Sequence, residues 1–74
     1  MKKPHAGMRM RSRRIELGLT QAELAEALGT KQEGISAWEK RGPRNIAQIE
    51  AIAEQLDCEP AWLAFGTPPK QRRS

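Results

Sequence analysis

Lys31, Gln32, Glu33, Ser36 and Ala37 fall within the run KQEGISA. On a helix they share the side that points away from Ile35 and Trp38. Small and polar side chains at this spacing are the groups a helix uses to meet base edges in a major groove. Little else in the chain could drive a reaction. The single histidine, His5, stands between Pro4 and Gly7 in a stretch without periodicity, so it has no fixed geometry for a general base or a triad. The carboxylates are spread over helix surfaces and caps, with no converging pair, and no glycine-rich phosphate loop follows a strand. One Cys and one His are too few ligands for a structural zinc site. Cys58 has no partner for an intramolecular disulfide and reads as a small side chain near a helix junction rather than a reactive thiol. Neither enzymatic activity, a cofactor, a metal nor a small-molecule ligand is expected.

The elements that must position the polar face run from Thr20 to Glu39, TQAELAEALGTKQEGISAWE. Thr20 and Glu23 have the S/T-x-x-E spacing of a capping box, in which each side chain satisfies a backbone N–H of the other residue. Leu24, Ala25 and Leu28 then recur at helical spacing. Gly29 follows where a helix end favours a left-handed residue without a Cβ. Thr30 and Glu33 repeat the capping-box spacing, and Ile35 and Trp38 give the next helix its own apolar stripe. Two helices joined by so little chain must cross steeply, which makes a helix-turn-helix. Ala25 permits close approach of the second helix, and Ile35 and Trp38 point back towards Leu24 and Leu28. The plainer alternative is an αα-hairpin that only packs.

Seventy-four residues make one domain with a small core, and 38% hydrophobic content is low but workable for an all-helical fold. The net charge is +4, and its placement is uneven. Lys2, Lys3, Arg9, Arg11, Arg13 and Arg14 precede any acid; Lys40, Arg41 and Arg44 follow the two-helix unit; Lys70, Arg72 and Arg73 close the chain. Basic groups thus bracket the helix-turn-helix, as suits a polyanion. No apolar run approaches the roughly 20 residues that span a bilayer, and no signal-peptide core is present. A cytoplasmic, DNA-associated protein of a bacterial cell or phage-infected host is expected, with no membrane partner.

In chain order, residues 1–7 read as a flexible basic arm, 8–66 as the folded domain and 67–74 as a disordered basic tail. Helix 1 is expected over Met8–Leu17, with Met10, Arg14 and Leu17 on one face and Ile15 packed on the C-terminal helices. Helices 2 and 3 are expected over Gln21–Leu28 and Lys31–Glu39. Gly34 inside helix 3 costs about 1 kcal/mol relative to Ala; it either allows a close approach or is a tolerated weakness. Helix 4 runs over Ile46–Leu56 behind an Asn45 cap. Helix 5 covers Pro60–Phe65, with Pro60 at the first helical position, where its missing N–H costs nothing.

From about Arg9 to Thr67 the chain resembles the Cro and phage-repressor class of helix-turn-helix proteins, the XRE family, most closely the single-domain phage repressors. The matching pieces are RRIELGLTQAELAEALGT, Ile35, WE and the late WLAFGT. The resemblance implies an all-α, five-helix domain of lambda-repressor type, with the helix-turn-helix at helices 2 and 3. It implies that Gln32 makes a bidentate contact to adenine N6 and N7, that Gln21 meets a phosphate, and that Arg14 pairs with Glu39. It also implies pairing of two copies through the helix 4–helix 5 end, around Asp57, Cys58, Trp62 and Phe65. Arg11, Lys40, Arg41 and Arg44 are further phosphate candidates. Glu33 has two readings, completion of the second capping box, which is favoured, or acceptance from a cytosine amino group. The loop Lys40–Arg44, KRGPR, departs from the family pattern: Arg41 stands where a Gly is usual and Gly42 comes one later.

The expectation is a sequence-specific transcriptional regulator, a repressor, binding a two-fold operator on double-stranded DNA as a weak homodimer that pairs on the DNA. The alternative is an antitoxin-like or adaptor module on the same fold, whose main partner is a protein.

Overall fold

Thr20 and Glu23 form the reciprocal cap that their spacing dictates. The Glu23 N–H donates to Thr20 Oγ1 at 3.0 Å, and the Thr20 N–H donates to Glu23 Oε1 at 2.9 Å. That backbone donor, with the hydroxyl beside it, holds the Glu23 carboxyl below the ordinary carboxylate range. In the computed structural model, which describes residues 5–72, this cap opens the second of five helices: α1 Ala6–Glu16, α2 Gln21–Leu28, α3 Gln32–Arg41, α4 Ile46–Gln55 and α5 Pro60–Phe65. The chain is thus all-α, with the helix-turn-helix at α2 and α3. Gly29, at φ 67, ends α2, and Asn45 opens α4 by accepting from the Gln48 N–H at 2.9 Å.

All five helices or their caps feed one core. Met10, Leu24, Ile35, Ile52, Leu56 and Leu63 are fully buried, with Ala25, Ala53 and Cys58 between them. Leu19, Leu28, Trp38, Ile49 and Trp62 pack half-buried around it. Each large side chain removed from water contributes about 1.5–3 kcal/mol.

Helix α1 departs from the sequence expectation in several ways. It begins at Ala6, and His5, placed in a floppy arm above, is its N-cap: Nδ1 accepts from the Gly7 N–H at 3.0 Å. Gly7 is helical and buried. A Cβ there would lie well inside contact distance of the Trp38 and Glu39 carbonyl oxygens. Helix α1 therefore crosses the C-terminal half of α3 backbone against backbone, and a side chain at position 7 would hold them apart. Ile15 does not pack on the C-terminal helices but is 57% exposed, and Leu17 caps the helix in the open.

Arg9 and Arg13, one turn apart on α1, take the place expected of Ile15. Arg13 Nε donates to the Leu56 carbonyl at 2.8 Å and its Nη2 to that of Asp57 at 3.2 Å. Arg9 Nε and Nη2 donate to the carbonyls of Leu63 and Ala64 at 2.8 and 2.7 Å. These carbonyls close α4 and α5 and have no intrahelical partner, so two guanidinium groups satisfy two helix ends.

The tail expectation is also corrected, for residues 67–72. The Glu59 N–H donates to the Lys70 carbonyl at 3.0 Å, and Cys58 and Gln71 form an antiparallel bridge. The Lys70 ammonium lies 5.2 Å from the centre of the Trp62 ring and 2.7 Å from the Glu16 carboxylate, which it holds below the ordinary range. Backbone pairing and a cation over an indole order this segment despite its lack of hydrophobic residues. Lys2 and Lys3 of the expected arm, and Arg73 and Ser74 of the expected tail, lie outside the described residues.

Candidate nucleic-acid interface

The turn between α2 and α3 decides which side chains the second helix offers. The Thr30 N–H donates to the Ala25 carbonyl at 2.9 Å, closing α2 over Gly29. That donor is then unavailable to Glu33, and the second capping box expected above does not form. Lys31 is the N-cap instead, without a side-chain hydrogen bond, and α3 starts one residue later, at Gln32. A Cβ on Gly34 would come 3.0 Å from Thr30 Oγ1, so the glycine accommodates the threonine side chain of the turn. At the other end α3 runs on through Arg41, and Gly42 caps it at φ 92, its N–H donating to the Trp38 carbonyl at 2.8 Å. Helix α3 thus ends two residues beyond the expected Glu39, with the shifted glycine of KRGPR as its cap.

Helix α3 buries Ile35 and Glu39 and half-buries Trp38. Glu39 would be a costly residue to bury alone. Arg14 Nε donates to its Oε2 at 2.7 Å and Nη2 to its Oε1 at 3.3 Å, while Nη1 donates to the Leu19 carbonyl at 2.8 Å. Gln21 Nε2 donates to Glu39 Oε1 at 3.0 Å, and Gln32 Nε2 donates to Gln21 Oε1 at 3.3 Å. A continuous chain of polar contacts therefore runs from a buried ion pair to the first residue of α3. It fixes the amide of Gln32, which is otherwise exposed.

The outward side of α3 carries Glu33, Ala37, Lys40 and Arg41 exposed, with Ser36 half-buried beside them. A hollow flanks this crest on either side. One, of about 290 Å³, is lined by Arg11, Gln21, Ser36 and Lys40 in front of Arg14 and Glu39. The other, of about 320 Å³, is lined by Gly34, Ala37, Arg41 and Arg44 with Trp38, Gly42 and Gln48. Arg11, Lys40, Arg41 and Arg44 are all exposed. The fold thus gathers Arg11, Gln21 and Lys40 on one side of the polar face, and Arg41 and Arg44 on the other.

A helix-turn-helix family model matches residues 10–63. The chain belongs to the helix-turn-helix family, of the Cro and phage-repressor type. Members of this family are DNA-binding regulators and not enzymes. The chain is 36% identical over 66 residues to the HTH-type transcriptional regulator DicA of Escherichia coli (strain K12), covering 88% of this chain and 49% of that relative. It thus spans about half of DicA's length. Among solved structures, the P22 c2 repressor in complex with synthetic operator 9T superposes with a TM-score of 0.78 at 31% identity, covering 88% of this chain and all of the other. The solution structure of the P22 c2 DNA-binding domain gives 0.76 at 33%, covering 85% and 84% of the two chains. A chain of the SinR–SinI complex gives 0.71 at 29%, covering 81% and 60%.

Two arginines that the charge pattern counted towards a polyanion-binding face of this helix-turn-helix domain prove to be internal braces. Arg9 and Arg13 serve helix ends, and nothing in their local spacing distinguishes them from Arg11, which is exposed. Gln48 was also missed: its Oε1 accepts from the Arg44 N–H at 2.7 Å, fixing the loop that carries that cation. Of the expected pairing residues, Cys58 is fully buried and cannot present a side chain to a second copy. Burial also pushes its thiol up, against thiolate formation. Trp62 is half-buried under Lys70, Asp57 is exposed, and Phe65 is 80% exposed. No helix among the described residues is long and apolar enough to cross a membrane.

Proposed function

We propose that this domain regulates transcription by placing α3 in the major groove of double-stranded DNA, acting as a repressor on a two-fold operator. The observation that carries the reading is the crest of α3 between two hollows, one lined by Arg11 and Lys40 and the other by Arg41 and Arg44. A helix inserted in a groove meets bases along its crest and a phosphate strand on either flank. The superposition on a repressor held in complex with an operator supports the same docking. One helix-turn-helix reads half a site, so two copies would bind about 34–36 Å apart. Of the expected pairing residues, Asp57 and Phe65 are exposed and available for their contact, with pairing expected to be weak away from DNA.

The similarity to a chain of the SinR–SinI complex favours a second reading, in which the main partner is another protein. Titration of duplex DNA across a salt series separates the two. DNA binding should weaken steeply with salt, in proportion to the phosphates engaged, and two copies should bind a selected palindrome cooperatively. Absence of salt-dependent binding to any duplex would favour the protein partner, and a strict one-to-one complex on the palindrome would remove the two-fold arrangement.

A further inference from the structure

We propose that Glu33 is a specificity-determining residue whose carboxylate accepts from the N4 amino group of a cytosine in the major groove. The proposal rests on the DNA-binding reading above and adds the base class that this side chain selects.

Beyond placing a negative charge in the first turn of α3, Glu33 has no structural partner among the described residues. The Thr30 N–H that would have received it in a capping box is committed to the Ala25 carbonyl. The carboxylate makes no hydrogen bond or ion pair with any described residue, whereas Glu16, Glu23 and Glu39 are each held by named donors. Its neighbour Gln32 is tethered through Gln21 to the buried ion pair. Glu33 is thus a carboxylate on this face with no partner among the described residues.

Its place on the helix matters as much. Ile35 and Glu39 mark the buried side of α3, and Glu33 lies on the opposite side, in line with Ala37 one turn on, and in the first turn, the end of a recognition helix whose residues contact base edges. That is the part of an inserted helix that lies deepest in the groove and farthest from both phosphate strands. Ala37 and Ser36 beside it are small and leave the carboxylate room to reach the groove floor.

The chemistry then narrows the partner. An ionised carboxylate only accepts. Guanine offers N7 and O6, and thymine O4, all acceptors that repel it. Adenine offers an N6 donor beside an N7 acceptor, whereas cytosine presents the N4 donor alone. Cytosine fits best, adenine less well, and guanine and thymine are rejected. In a misplaced complex the same charge would face phosphates and weaken binding.

The test is binding of the whole chain to a duplex library in which each base pair is varied in turn, for wild type, Glu33→Gln and Glu33→Ala. Wild type should prefer cytosine at one position of each half-site by about 5- to 150-fold over guanine or thymine, the range a good base contact supplies. Glu33→Gln, which keeps the shape and adds a donor, should shift that position towards adenine. Glu33→Ala should flatten it and bind random duplex several-fold more tightly at low salt. A selective wild type whose profile survives both substitutions would overturn the proposal, even if thermal stability changed, since Glu33 would then act only on the helix dipole. Should Glu33→Ala fail to fold, the near-isosteric Glu33→Gln decides alone. Wild type that bound no duplex selectively would sink the DNA-binding reading along with this one.

Discussion

Arg14 and Glu39 meet inside the domain, with the guanidinium Nε 2.7 Å from the carboxylate and both side chains buried. The pair closes α1 onto the end of α3, and Gln21 shares Glu39 Oε1 with Arg14 Nη2. Removing either partner strands a charge out of water, which costs about 3–5 kcal/mol. Arg14→Ala and Glu39→Ala should each destabilise by that order in urea melts, and the double variant should lose less than the sum. Additive, sub-kilocalorie effects would contradict the pairing.

Gln32→Ala should cost roughly 1–3 kcal/mol on a selected site and little on random duplex, because a base contact discriminates and a phosphate contact does not. Gln21→Ala should reduce the same discrimination with Gln32 intact, since it cuts the tether between Gln32 and Glu39. Equal losses on both duplexes would move Gln32 out of the reading role.

The cations divide by structure rather than by count. Arg44→Ala and Lys40→Ala should each flatten the salt dependence of binding by about one unit of slope, as phosphate contacts do. Arg13→Ala should leave the slope of the folded protein unchanged and lower its melting temperature, because its guanidinium serves the carbonyls of Leu56 and Asp57. A slope reduced by Arg13→Ala would place that residue on the DNA.

Gly7→Ala adds a single methyl group where the carbonyls of Trp38 and Glu39 stand against α1. Relief requires moving backbone, and overpacking of this kind costs about 1–3 kcal/mol. An unshifted denaturation midpoint would show that the two helices separate freely.

The Lys70 ammonium lowers the pKa of Glu16, so the contact contributes stability above the ordinary value of 4.5 and loses it as pH falls through the lowered, folded value. Wild type should therefore exceed Glu16→Gln in stability at pH 7, and the two should converge in strong acid. A difference that grew on acidification would have the wrong sign for this pair.

What the sequence determined by itself lies in local chemistry. Thr20 with Glu23, Gly29 after Leu28, Asn45 before Ile46 and Pro60 at the head of α5 act within one turn of themselves, so their spacing suffices to place α2, α4 and α5 and the helix-turn-helix between them. The polar crest of α3 follows from its period in the same way. Contacts between distant residues were decided elsewhere. Thr30 and Glu33 have capping-box spacing, yet the Thr30 N–H is consumed by the end of the preceding helix, and that competition depends on how tightly the turn closes. Arg9, Arg11 and Arg13 read alike as basic residues of α1; only the packing of α4 and α5 against one side of that helix turns Arg9 and Arg13 into braces and leaves Arg11 beside α3. Gly7 and Lys70 looked like parts of loose ends for the same reason: the backbone that crowds the first and the indole that holds the second lie more than thirty and eight residues away, respectively, beyond the reach of any local pattern.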